Sequence, residues 1–567
     1  MKRLKFRSAP RALFMAGATL TVLASAAQAA TIKPYFEFKK PPMLTIAGDL
    51  SLDSFGASAP VFYTSGPVSL GFEGISQYDA ASFGRNLIPP DTNGAVGRSQ
   101  YMEVTNGAYA VFNKTTGVRT SLVSDVAFWA AAGQTGANGD SRVMYNAASS
   151  RWMAMSFGGN VKDLQIAISD TDNALGGWKS VKFEGYAGLG FGATADYPTL
   201  ALDKNAVYIG TNNFAPATSG GSNSFRGTTL NVIPLNSLFN GGAPTTANFK
   251  QFVTPYTNTG SGTDEDRGFA LQGVNSSTAG STGTVIAASL FNYDNVAYKV
   301  NGLTASSAAG ATTGAAVFSG MAAFTSPSPA RQPAVAVPGN ARVVDTLDER
   351  ISSSVYEANG RIYTVQTVDS TADGLDEARV RYTVYNATTF AIVAQGDIGT
   401  AGYDSYMGSI AVNSQGQVVI GYNRSGFDVA TGKIAVMART FNTALDGSLV
   451  ATSGELLLKE SLIDDYHNGS IAGGVAAGRQ RWGDYSQVSL DPDDIHKFWV
   501  IGEFAREYNN PAGGHPGGTG GSRWGTYISA VTAVPEPATW AMMLAGFGVV
   551  GALASRRRRS EAAGQNA

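Results

Sequence analysis

The sequence predicts an all-β protein, a β-propeller of seven blades with six or eight blades as the alternatives. Strand-type segments dominate the middle of the chain, for example YMEVTNGAYAVFNK and RIYTVQTV. No long segment there has the 3.6-residue period of a helix. The chain has 567 residues with 68 glycines and 10% aromatics, a composition typical of short strands joined by tight turns. The two ends add a predicted export signal and a predicted membrane helix.

The propeller is predicted from a pattern that recurs along the chain. Each copy has an acidic turn, a short apolar strand, a second turn and a stronger aromatic or β-branched strand. The copies begin roughly 50 to 80 residues apart, the spacing of propeller blades with long loops. A single blade cannot cover both of its faces, so the copies must stack around an axis. The copies begin at Asp91, Asp140, Asp196, Asp266, Glu349, Asp404 and Asp484.

The N-terminus predicts a cleaved signal peptide over residues 1–29. A basic segment up to Arg11 precedes the apolar stretch Ala12–Ala26, and Ala27-Gln28-Ala29 supplies the small residues that signal peptidase accepts. The alternative is an uncleaved anchor helix. Export would follow from either reading.

The C-terminus has three parts, in residues 533–560. The motif Val534-Pro535-Glu536-Pro537 is followed by the apolar run Ala538–Ala554 and by four arginines. At about 1.5 Å per residue the run is just long enough to cross a membrane as a helix. The arginines would hold the tail end on the cytoplasmic side, leaving the body outside. The arginines are Arg556, Arg557, Arg558 and Arg559.

This order of motif, glycine-containing apolar helix and terminal arginine cluster resembles the PEP-CTERM sorting signal. The resemblance implies processing by an exosortase, a Gram-negative bacterial host and an association with exopolysaccharide production. The inner membrane would then be a transient partner, and the mature protein would reach the cell surface or extracellular matrix. The alternative is an ordinary C-terminal membrane anchor.

The remaining boundaries follow from these assignments. Residues 30–84 are predicted to be an N-terminal segment or linker, 85–532 the propeller body and 561–567 a polar tail. The alternative is that residues 35–75 supply an outer strand to the closing blade. The segments DTNGAVG, DYP, RWGDYS and LQIAISDTDNALGGW make the body similar to secreted bacterial propellers of the sialidase-like group. That resemblance implies the propeller fold, while propellers host many unrelated activities.

Acids near the repeat starts form the first candidate site. If the copies are blades, these carboxylates share one end of the central channel and could bind calcium, which prefers oxygen ligands. The alternative is structural, because an Asp before a strand often bonds nearby backbone amides. The candidate metal ligands are Asp91, Asp140, Asp196, Asp266, Asp348, Asp404 and Asp484.

Arginines and tryptophans form the second candidate site. Sialidases bind a substrate carboxylate with three arginines from different blades, and Arg142, Arg267 and Arg350 come from three copies. The alternative is that these arginines pair with neighbouring acids. Trp482 and Trp524 flank glycine-rich turns and are predicted to stack on sugar rings, with core packing as their alternative role.

Composition narrows the function further. The net charge of −2 gives no basic field for nucleic acid, and the absence of cysteine excludes disulfides and thiolate chemistry. No catalytic motif is evident. The leading hypothesis is therefore a non-enzymatic surface or biofilm-matrix protein that binds exopolysaccharide, with calcium as a candidate cofactor. The alternatives are a glycan-directed hydrolase or lyase and a protein-binding adhesin.

Overall fold

The computed structural model describes the propeller body and a short segment before it. The described residues are 44–45, 58–63, 66–186, 194–215, 224–256, 265–278, 280, 282–333, 342–370, 374–467, 478–508 and 521–533. The predicted signal peptide, the motif Val534–Pro537 and the four terminal arginines lie outside them.

Strand pairing divides the sheets into seven antiparallel meanders, here called blades 1 to 7. Five are separate sheets of four or five strands. Blades 4 and 5 share a ten-stranded sheet, because their innermost strands pair in parallel.

The strands are as follows. Blade 1 contains Asn93–Val96, Gln100–Thr105, Ala108–Asn113 and Arg119–Ser124; blade 2 contains Arg142–Asn146, Arg151–Phe157, Asp163–Ser169 and Trp178–Glu184; blade 3 contains Thr194–Asp196, Ala201–Leu202, Ala206–Ala215, Ser224–Pro234 and Lys250–Pro255; blade 4 contains Phe269–Ser276, Gly283–Ala288, Asp294–Asn301, Thr312–Thr313 and Val317–Gly320. Blade 5 contains Phe324–Thr325, Val355–Ala358, Arg361–Ser370, Ala378–Asn386 and Ile392–Ile398; blade 6 contains Tyr403–Val412, Gln417–Gly426, Ala435–Thr443, Leu449–Ala451 and Leu456–Glu460; blade 7 contains Val61–Phe62, Val68–Ser76, Gln487–Leu490, Lys497–Tyr508 and Ser522–Thr532.

Few other elements occur among the described residues. Leu44–Thr45 pairs with Leu87–Ile88 in antiparallel orientation, and Val343–Val344 pairs with Arg479–Gln480 in parallel orientation. The helices are Gln77–Ser82, Asp125–Ala131 and Leu235–Phe239. No helix in this part of the chain is long and apolar enough to cross a membrane.

The predicted repeat is confirmed by the propeller, because every copy supplies the two inner strands of one blade. All seven innermost strands start at one end of the axis, which we call the upper face, and run toward the lower face. Within a blade the next strands alternate in direction, since each pairs antiparallel with its neighbour. The acids that open the copies therefore lie at the upper face.

The ring is closed by both ends of the body. Val68–Ser76 pairs antiparallel with Ser522–Thr532, so blade 7 combines three C-terminal strands with strands from before residue 85. The predicted start of the propeller at residue 85 is therefore too late. Apolar residues alternate with Ser69, Gly71 and Glu73 in this strand, which pairs with the last strand of the body. The strands of the closed ring lie within residues 61–533.

Candidate functional site

The upper end of the axis is closed by aromatic side chains. Tyr197, from the start of blade 3, donates its hydroxyl toward the carbonyls of Ser352 in blade 5 (3.3 Å) and Asp484 before blade 7 (3.2 Å). One side chain can reach both blades only by lying across the axis. The Tyr197 and Tyr485 rings meet edge to face at 5.9 Å, and both are almost fully buried. The described residues thus leave no open mouth here.

Two of the three predicted arginines belong to this plug. The Arg142 guanidinium lies 3.2 Å from the ring centroid of Tyr485, and Arg350 lies 4.4 Å from that of Tyr197. Arg350 also forms a two-pronged salt bridge with Asp348, at 2.7 Å for each contact. The exposed fractions of Arg142 and Arg350 are 5% and 7%. They are too buried to meet a substrate carboxylate.

Arg267 lies away from the other two arginines. Its guanidinium bonds Glu265 and the carbonyl of Gly314, and lies 5.0 Å from the ring of Tyr298 in blade 4. The three-arginine constellation implied by the sialidase resemblance is therefore not assembled among the described residues. Arg267 and Arg350 instead fit the alternative prediction, in which each arginine pairs with a neighbouring acid.

The predicted ring of acids is a set of separate structural contacts. Asp91 accepts hydrogen bonds from the Asn106 side chain and from the backbone amide of Asp484, both at 2.8 Å. Asp484 in turn pairs with Arg481 at 2.6 Å. Burial, reinforced by the charge of Asp484, raises the pKa of Asp91. This acidic contact joins blade 7 to blade 1.

The other acids have similar local roles. Asp140 accepts from the amide of Tyr197 in the next blade, and Asp404 accepts from the backbone and guanidinium of Arg331. Asp266 accepts from Ser289 and from neighbouring amides of its own blade. Asp196 lies half-buried in the first strand of blade 3. Across the described residues no group of three or more acids or histidines could hold a metal ion.

The two tryptophans predicted to stack on sugar rings are both fully buried, with an exposed fraction of 0%. The Trp482 indole donates to Asn423 at 3.2 Å and packs edge to face on Tyr466. The Trp524 indole donates to the carbonyl of Leu87 at 3.2 Å. The flanking glycine-rich turns predicted that the two indole rings would be exposed. Instead, both large apolar rings are packed inside the blades.

A small cavity lies on the axis below the plug. Its volume is about 10 Å³, room for one water molecule. Its lining includes Asn93, Arg142, Leu200, Gln272 and Ser354, which come from five successive blades. This cavity therefore has room for solvent only.

The lower face holds a larger pocket, which we call the blade 4–5 pocket. Its volume is about 330 Å³, within the range of small-ligand sites. Hairpins and strand ends of blades 3, 4 and 5 form it. Its lining is dominated by hydroxyls and glycines, with three charged side chains. The lining residues are Asp203, Val274, Ser276, Thr278, Gly280, Thr282, Gly283, Thr284, Lys299, Glu357, Gly360, Ala387 and Thr388.

The three charges of the pocket are fixed to different degrees. Asp203 accepts 2.6 Å from the Tyr208 hydroxyl and also accepts from two backbone amides, and burial raises its pKa. Lys299 donates 2.8 Å bonds to Thr284 and to the carbonyl of Ala387. Burial lowers the pKa of Lys299, opposed by the charge of Glu357.

Glu357 is the most available of these groups. It is half-buried and accepts a long 3.3 Å hydrogen bond from the Thr278 hydroxyl. Sequence reasoning missed this pocket, because its charges come from three blades and no local motif links them. The only local signal was the Ser/Thr/Gly-rich segment at residues 276–283, which was interpreted as a loop.

Residues 533–559 match the family model of the PEP-CTERM protein-sorting motif. The C-terminal resemblance is thereby confirmed, and the chain is an exported protein with an exosortase sorting signal. The signal implies a surface or extracellular location after processing. No curated protein matches this sequence.

Several solved structures resemble this chain at low TM-score and low identity. A protein of unknown function from Dyadobacter fermentans has a TM-score of 0.32 and 12% identity, covering 77% of this chain and 94% of that one. The endo-arabinase of Bacteroides thetaiotaomicron has a TM-score of 0.27 and 9% identity, with coverages of 70% and 94%. A subtype N10 neuraminidase-like protein of A/little yellow-shouldered bat has a TM-score of 0.31 and 7% identity, with coverages of 68% and 99%.

Proposed function

We propose that this chain is a non-enzymatic surface or extracellular-matrix protein whose propeller binds exopolysaccharide through the blade 4–5 pocket. One observation carries the proposal: the pocket is of ligand size and presents hydroxyls, a carboxylate and an ammonium group. Sugar hydroxyls donate to carboxylates and accept from ammonium groups. The sorting signal supports the location in which such a polymer would be met.

The chemistry of the pocket favours binding over cleavage. Most glycoside hydrolases need two carboxyl groups that are free to act on the scissile bond. Here Asp203 is held by Tyr208 and by two backbone amides. Glu357, which has few bonds of its own, is then the one carboxylate of the described lining that is available to a ligand. A single available carboxylate can bind a sugar hydroxyl, but it cannot act both as the general acid and as the nucleophile or base.

The test uses residues 30–533, which contain the whole closed ring. This body is sedimented with exopolysaccharide extracted from the producing strain, with calcium and with chelator. We expect binding under both conditions, because the pocket uses hydroxyl, carboxylate and ammonium groups. Absence of binding under both would overturn the proposal. Release of reducing ends from the polymer would replace it with a hydrolase.

Variants locate the site. Glu357→Gln and Lys299→Met should each weaken co-sedimentation several-fold, because each removes one charged contact. Glu460→Gln is the matched control, an exposed carboxylate on the outer edge of blade 6. Thermal unfolding of all three confirms that they fold. Equal loss in the control, or no loss in the pocket variants, would place binding elsewhere.

A further inference from the structure

The end of the last strand is fixed to the lower face. The amide of Thr532 donates to the carbonyl of Pro67 at 2.7 Å, and the amide of Ala533 donates to that of His496 at 2.9 Å. The carbonyl of Ala533 accepts from Gln417 at 3.0 Å, and Ala533 has no exposed surface. The folded body therefore holds the chain up to the residue at which the sorting motif begins.

The connection from this point to the membrane is short. Val534–Pro537 separate Ala533 from the predicted membrane helix that starts at Ala538. Fully extended, this stretch reaches at most about 18 Å. The strand Ser522–Thr532 has 11 residues and spans roughly 36 Å from the upper to the lower face. The tether is thus too short to bring the upper face to the bilayer in place of the lower one.

The blade 4–5 pocket opens on this same lower face. Glu357 lies in the last residues of the innermost strand of blade 5, and Gly360 lies in the hairpin that follows it. Thr388 lies in the second lower hairpin of that blade, between Ala378–Asn386 and Ile392–Ile398. Ala533 follows a strand that ends at the same level in blade 7.

We infer that processing of the tail controls access to the pocket. While the tail holds the protein in the membrane, the lower face is turned to the bilayer and the blade 4–5 pocket is screened from polymer. Cleavage frees that face and makes the pocket accessible. This inference rests on the proposed function for its ligand, but its geometry is tested independently of any ligand.

The geometric test uses single cysteines, because the chain has none of its own. Leu445→Cys lies in a lower hairpin of blade 6, where Leu445 is 99% exposed. Val429→Cys lies in an upper loop of the same blade, where Val429 is 63% exposed. Each is placed in the full chain, reconstituted in vesicles of phosphatidylethanolamine and phosphatidylglycerol, and labelled with a polyethylene-glycol maleimide.

We expect Leu445→Cys to label several-fold more slowly in vesicles than in the body of residues 30–533. Val429→Cys should label at the same rate in both forms. Equal labelling of the two cysteines in vesicles would overturn the inference.

A second experiment separates the inference from the proposed function. Extracted exopolysaccharide is added to the vesicle-bound full chain and to the body. Binding by the body alone supports both ideas, whereas binding by both forms overturns the screening and leaves the proposed function standing. Binding by neither overturns the proposed function, while the labelling result still decides the orientation.

Discussion

The hydroxyl of Thr526 lies 2.5 Å from a carboxylate oxygen of Glu103, and this contact joins the end of the propeller to its first blade. The other oxygen of Glu103 accepts from the backbone amide of Ile75 at 2.9 Å. One buried side chain of blade 1 thus bonds both the N-terminal and the C-terminal strand of blade 7. Burial raises the pKa of Glu103 to about 7, opposed by these two hydrogen bonds.

The raised pKa predicts that stability falls between pH 5 and pH 8. A carboxyl with a higher pKa in the folded chain holds its proton more tightly there than in the unfolded chain. Its stabilisation is complete below the unfolded pKa of 4.5 and is lost as the pH rises through about 7. The loss from Glu103 is about 3 kcal/mol of unfolding free energy. Urea unfolding of the body at several pH values measures it.

Glu103→Gln isolates this share of the pH dependence. The amide oxygen can accept from Ile75, and the amide nitrogen can donate to Thr526, whose hydroxyl then donates to the carbonyl of Ile75 at 3.0 Å. We therefore expect near wild-type stability at pH 5 and higher stability than wild type at pH 8. A slope unchanged by the substitution would assign the pH effect to other buried carboxyls, such as Glu503, whose pKa burial also raises.

Because the strand Val68–Ser76 closes the ring, we expect substitutions in it to lower the free energy of unfolding. Phe72 is 2% exposed and packs against Phe112 at 5.1 Å and Trp499 at 6.3 Å, thereby linking blades 7 and 1. Phe72→Ala should cost about 3 to 5 kcal/mol, the usual loss for a buried ring. Phe62→Ala is the control, since Phe62 is 61% exposed. Equal effects in urea unfolding would show that this strand does not close the ring.

The repeat could be predicted from sequence because the two inner strands of each blade are adjacent along the chain. The turn that contains Asp140 and the two strands after it form one continuous stretch of sequence. Asp404 likewise lies at the start of two strands that follow each other directly along the chain. Closure could be predicted only as an alternative, with an outer strand from residues 35–75, since Val68–Ser76 pairs with a strand more than 400 residues later. Nor could burial be read from flanking turns, as Trp482 shows.

The blade 4–5 pocket illustrates the same limit. Asp203, Lys299 and Glu357 belong to three blades and are brought together only by the stacking of hairpins. The acids at the blade starts lie at one face, as expected, but Asp91, Asp140 and Asp404 each contact a nearby amide or guanidinium group. Phase along the chain therefore predicted which face a residue occupies and not whether its side chain faces a ligand.

Burial of Trp482 predicts a structural effect without a ligand effect. Trp482→Ala removes a ring with no exposed surface and leaves the side chain of Asn423 without its indole donor. We expect a loss of about 3 to 5 kcal/mol in unfolding free energy. At a temperature where the variant is folded, polymer binding per folded molecule should be unchanged. Reduced binding by the folded variant would return Trp482 to the ligand site.

The axial plug predicts strong coupling between Arg142 and Tyr485. Arg142 is buried, with its Nε donating to the carbonyl of Pro198 at 3.1 Å and its Nη2 without a hydrogen-bond partner among the described residues. The electron-rich face of Tyr485, 3.2 Å away, is therefore a main stabiliser of its charge. A desolvated pair of this kind is worth about 2 kcal/mol or more.

Tyr485→Phe keeps that face and loses only the hydroxyl bond to the carbonyl of Ser141, so it should cost about 1 kcal/mol. Tyr485→Leu removes the face, leaves a buried cation poorly compensated and should cost about 3 kcal/mol. If the charge of Arg142 causes this difference, Arg142→Met should remove most of it. The double variant Arg142→Met/Tyr485→Leu would then be more stable than the sum of the single losses predicts. Simple additivity of the two losses in urea unfolding would show that Tyr485 acts by filling space and not by stabilising the charge.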